Sequence, residues 1–77
     1  MKYQIIIREG LPIHPTEIKM AINKIELPSN VREYRTIQKS IDMDGRDLFV
    51  AFEYYIKNDI ECIYVSNAVW TKKKRKR

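Results

Sequence analysis

The chemistry open to this chain is read most directly from its cations. Lys72, Lys73, Lys74, Arg75, Lys76 and Arg77 form an unbroken run at the end of the sequence. Six like charges in a row repel one another and do not pack into a core. They can neutralise phosphates of RNA or DNA, meet an anionic membrane surface, or be read as an address by an import receptor. Three more arginines, Arg32, Arg35 and Arg46, fall at the start of one expected strand and beside an expected turn. A guanidinium grips phosphate at two points, which makes these candidate nucleic-acid contacts. The plainer reading pairs Arg32 with Glu33 and leaves Arg46 as a solvated turn residue. Trp70 stands just ahead of the cationic run, either as a hydrophobic anchor or as a ring on which a base stacks.

Other chemistries are poorly supplied. His14 and Cys62 are the only soft metal ligands, too few for a structural zinc, so no metal site is expected. One cysteine allows no internal disulfide, and Cys62 reads as a small core filler. One histidine without a local nucleophile motif makes no Ser-His-Asp set; His14 is either an exposed helix-start residue or a catalytic base. Gly10 and Gly45 are the only glycines, so there is no phosphate-cradling loop and no cofactor is expected.

The net charge of +5 is unevenly placed. Without the six terminal cations, nine Lys and Arg face ten Asp and Glu, so the body is close to neutral. The pattern is that of a neutral domain with a cationic interaction arm, not of a basic fold. We therefore read residues 1–71 as one small domain and 72–77 as a basic tail. A chain of 77 residues allows one domain, and 44% hydrophobic residues are enough to give it a core. No apolar run is long enough to span a bilayer, and Lys2 is followed by no signal-peptide core. The expectation is a cytoplasmic protein with no membrane partner.

The elements that position these residues follow from periodicity. Residues 3–7 are a short run ending in three β-branched isoleucines and read as a short strand or the start of a helix. His14-Pro15-Thr16-Glu17 is a helix start, with Pro15 in the first turn and Glu17 favoured by the helix dipole. Ile18, Ala21, Ile22 and Ile25 then make one apolar stripe, and Pro28 ends it. From Val31 the period changes to two. Residues 34–41 read as a strand, Asp42 to Gly45 as a turn, and 47–56 as a strand in which Leu48, Val50, Phe52, Tyr54 and Ile56 share a face. Lys57-Asn58-Asp59 is a second turn, and 60–66 a third strand. The predicted fold class is α+β: one N-terminal helix packed on a three-stranded antiparallel meander, with the other sheet face free to bind.

The central hairpin, Arg35-Thr-Ile-Gln-Lys-Ser-Ile-Asp-Met-Asp-Gly-Arg46-Asp-Leu-Phe-Val50, resembles that of BrnT-type toxins, small ribonucleases of the RelE superfamily. The likeness rests on a "GR.L.V" pattern at Gly45 to Val50. It extends to the last strand with its basic end, and to the helix start around His14. Ala68 and Lys74 depart from the arginine and glutamate of the family pattern. The resemblance implies metal-independent RNA cleavage by 2′-OH attack, with Arg35 and Arg46 as catalytic cations stabilising charge on the phosphate. It also implies an antitoxin as protein partner.

Two readings of function stand side by side, with RNA favoured over DNA as the ligand. One is a RelE-like endoribonuclease or a relative of one. The other is a non-enzymatic nucleic-acid-binding module, using an aromatic sheet face and the tail; a homodimer fits either. A third reading makes the tail a targeting signal on a protein-interaction domain. The tail separates them. Six neutralised phosphates give a salt slope of about −4 on a single strand. Truncation after Thr71 is expected to remove most of that slope between about 50 and 200 mM salt. Equal slopes for the intact and truncated proteins would rule out a nucleic-acid arm.

Overall fold

A computed structural model describes residues 3–27, 31, 35–43 and 45–71. The elements run β1 (Gln4–Ile7), α1 (Pro15–Asn23), β2 (Arg35–Met43), β3 (Arg46–Lys57) and β4 (Ile60–Thr71). They form one four-stranded sheet in the order β1-β4-β3-β2. The expectations for the tail, Arg32 and Tyr34 lie outside the described residues.

The sheet corrects the predicted three-stranded meander. β2, β3 and β4 are the expected antiparallel meander, but β1 joins them as a fourth strand, parallel to β4. The reason lies in Ile5, Ile6 and Ile7, whose branched side chains suit a pleated surface. Their backbone extends the β4 edge, with Ile5 beside Ile63 and Ile7 beside Val65. Because β2 also runs parallel to β4, the chain crosses from one sheet edge to the other between β1 and β2. That crossover carries α1 over one face, the only way a single helix can connect parallel outer strands.

Local chemistry sets the helix. His14 is its N-cap, extended at φ −61° and ψ 136°, and its Nδ1 accepts from the Thr16 backbone N–H at 3.1 Å. Pro15 fills the first turn, where no N–H is needed. Ile18, Ala21 and Ile22 point into the core, as does Ile25 just past the helix. They meet Leu48, Val50, Phe52, Ile63, Val65 and Ala68 of the two central strands. Phe52 is fully buried at the centre. Its truncation to alanine is worth about 3–5 kcal/mol, against a total of roughly 5 kcal/mol for a domain of this size.

Both hairpins turn within two residues. Met43 pairs with Arg46 across Asp44-Gly45, and Lys57 pairs with Ile60 across Asn58-Asp59. Gly45 has φ +82°, as the Asp-Gly signal required. Asn58 (φ 53°) and Asp59 (φ 65°) hold the same left-handed region without glycine's freedom. Asp59→Gly is therefore expected to raise stability by up to about 1 kcal/mol in urea unfolding. Gly45→Ala is expected to lower it by about 1–2 kcal/mol. Stabilisation by Gly45→Ala would contradict this turn geometry.

Candidate nucleic-acid interface

The last strand does not keep one alternation. Ala51 pairs with Asn67, but Phe52 pairs with Val65, which leaves Ser66 as an extra residue opposite that step. This is a β-bulge. Ser66 Oγ donates to the Ala51 carbonyl at 3.1 Å, and Asn67 Oδ1 accepts from the Ala68 N–H at 3.0 Å. Before the bulge, Ile63 and Val65 face the helix while Cys62 and Tyr64 face away. After it, the fully buried Ala68 and the half-buried Trp70 face the helix. Predicted to end at Ser66, the strand instead runs through Trp70 to Thr71. One inserted residue thus decides that Trp70 lies on the helix side.

Arg46 is on that side too, diagonal to Trp70 across the β3–β4 pair. Its guanidinium carbon sits 3.9 Å from the Trp70 ring centroid. The positive charge meets the negative face of the indole, an attraction worth about 0.5–1 kcal/mol at an exposed site. Trp70 also packs against the core. Its ring is therefore both an anchor and the base on which Arg46 lies. Together with His14, Thr16, Glu17, Met20 and Met43 they line a cleft of about 450 Å³ beside the helix N-terminus. That is within the ~300–1,000 Å³ range of small-ligand clefts.

The β2–β3 hairpin divides its charges unevenly between the two sides of the sheet. Alternation along β2 and β3 sends Arg35, Lys39 and Arg46 to the helix side, and Asp42, Asp47, Glu53 and Lys57 to the open side. Arg35 and Arg46, paired as candidate catalytic cations, sit at opposite ends of the hairpin. The eight-residue step from Arg35 to Met43, the cross-strand partner of Arg46, is roughly 26 Å long. They cannot act on one phosphate, but with Lys39 between them they make a cationic row along the helix side of the β2–β3 hairpin. Thr71 closes β4 opposite Asp47, at the Arg46 end of the sheet.

The aromatic residues divide in the same way. Tyr3, Phe52 and Tyr54 are buried in the core, and Tyr54 Oη donates to Glu61 at 2.8 Å. Phe49, Tyr55 and Tyr64 are half-buried on the open face, among its carboxylates. Cys62 is buried beneath that face, as the core-filler reading expected, though outside the helix-side core. Glu17 was read only as a helix-dipole residue; its place in the cleft depends on the tertiary fold. Among the described residues no group of His, Cys, Asp and Glu could hold a metal.

Trp70 is the only tryptophan, so its emission reports on this contact alone. Arg46→Ala is expected to shift that emission and to cost about 0.5–1 kcal/mol of stability. Trp70→Ala, by removing a half-buried ring that packs on the core, is expected to cost about 2 kcal/mol. Emission unchanged by Arg46→Ala would remove the stacked pair from the account. No family model, curated protein or solved structure matches this chain.

Proposed function

We propose that this protein binds single-stranded nucleic acid, RNA in preference to DNA, along the helix side of its sheet. The observation that carries the reading is the stacked Arg46–Trp70 pair in a nucleotide-sized cleft where the cationic tail begins. A guanidinium held over an indole has its other side open to a base, which would extend the pair by one layer. Lys39 and Arg35 continue the positive potential along the β2 edge, and the tail adds six charges at the other end. The open face is set aside as a nucleic-acid platform in this reading, since its carboxylates repel phosphate at the rings that would stack.

Glu17 supplies the reason for RNA. It is the only carboxylate lining the cleft among the described residues. Against phosphate it is unfavourable, but it accepts a hydrogen bond from a ribose 2′-OH, the group DNA lacks. His14 strengthens this division of roles. Its Nδ1 is occupied by the helix cap, which leaves Nε2–H in the neutral ring as a donor toward the cleft.

RNA cleavage is a second reading, favoured by one observation: Glu17, His14 and Arg46 line the same cleft. Glu17 would take the 2′-OH proton as the 2′ oxygen attacks phosphorus. Arg46 would hold the charge on the phosphate, and His14 Nε2–H would protonate the departing 5′ oxygen. Arg35 has no part in that step.

Incubation with a labelled mixed-sequence RNA and its DNA counterpart tests both readings on one gel. Binding of RNA more tightly than DNA, weakened about tenfold or more by Arg46→Ala, is the expected result. Glu17→Gln is expected to strengthen DNA binding and to narrow the RNA preference. If cleavage occurs, the same substitution is expected to reduce it at least about 100-fold, as for loss of a general base. No shift of either nucleic acid by the intact protein would overturn the proposal.

A further inference from the structure

The open face of the sheet carries opposite charges at its two ends and aromatic residues one step in from each, so it complements its own reverse. Along β3 that face shows Asp47, Phe49, Ala51, Glu53, Tyr55 and Lys57. Consider a second copy laid face to face, with its β3 antiparallel and a two-fold axis at the level of Phe52. Lys57 then meets Asp47 of the second copy, Tyr55 meets Phe49, and Glu53 meets the small Ala51. Asp42 lies directly across from Asp47 within each sheet, so each incoming ammonium faces two carboxylates. The same axis lays Val69 over Cys62 and Asn67 over Tyr64 of the second copy, since these share levels with Phe49, Tyr55, Ala51 and Glu53.

Such self-complementarity is what an isologous interface requires. The face also carries apolar surface for it: Ile6 and Ile60 are 44% and 49% exposed beside the half-buried Tyr64, Tyr55, Val69 and Phe49. The footprint is adequate. Strands of 12 residues run about 40 Å, and the face is about 15 Å wide, which buries roughly 1,200 Å² over two copies, at the lower end for a specific complex. We infer that the protein forms a two-fold dimer through the open sheet face, which leaves both Arg46–Trp70 clefts facing outward. This rests on the face alone and not on nucleic-acid binding.

Sedimentation of the full chain over a concentration series tests the inference. The expected result is a monomer–dimer equilibrium with a dissociation constant on the order of micromolar. Lys57→Asp or Asp47→Lys alone places like charges together twice per dimer, and is expected to weaken it about tenfold or more. The double exchange, Asp47→Lys with Lys57→Asp, restores the pairing and is expected to return the constant to within about threefold. Circular dichroism of each variant confirms that these surface changes leave the fold intact. A wild-type chain that stays monomeric to about a millimolar, or a dimer indifferent to the single changes, would overturn the inference.

Discussion

Ser66 is one residue more than the β3–β4 ladder has room for, and the side on which the last strand serves depends on it. In a strand each residue alternates sides, so a single insertion exchanges the two faces for everything beyond it. Up to Val65 the even-numbered residues of β4 face away from the helix; from Ala68 they face toward it. Two consequences follow. Ala68, small enough to sit beneath the helix, completes the core, and Trp70 arrives under Arg46. Without the bulge, Trp70 would join the carboxylates of the open face, and the helix-side cleft would lose its floor. The Ser66 and Asn67 hydrogen bonds to backbone groups satisfy what the interrupted ladder leaves unpaired.

The division of charge follows from the same alternation. The β2–β3 hairpin holds cations and carboxylates in nearly equal number, and its composition says little about partners. The pleat separates most of them, with Arg35, Lys39 and Arg46 on one side and Asp42, Asp47 and Glu53, joined by Lys57, on the other. The hairpin of a near-neutral body thus presents cations toward the helix side and mostly carboxylates toward the other.

Much of this was legible in the sequence, and the failures have physical causes. The helix start at His14, the stripe from Ile18 to Ile25, the Asp-Gly turn and the alternation of β3 are local signals, and the structure keeps them. The pairing of β1 is not local. A parallel partner lies far along the chain, and three isoleucines do not say which edge they will join. Nor does a serine mark a bulge, because Ser-Asn is as compatible with an ordinary strand end. From that one omission came the short third strand and the detached Trp70. The cleft was out of reach for the same reason. Glu17 and Arg46 are brought together only when the crossover folds α1 over the sheet. Arg35 and Arg46 looked alike as cations flanking one strand, yet the length of that strand holds them apart.

The central claim is that nucleic acid meets the helix side of the sheet, at the stacked pair, and not the open aromatic face. Amide and indole chemical-shift mapping with a short single-stranded RNA tests it most directly. The account predicts perturbation of the Trp70 indole, Met43, Arg46 and Thr16, with Phe49, Glu53, Tyr55 and Tyr64 unmoved. Shifts concentrated on those open-face residues, with the Trp70 indole unchanged, would contradict it.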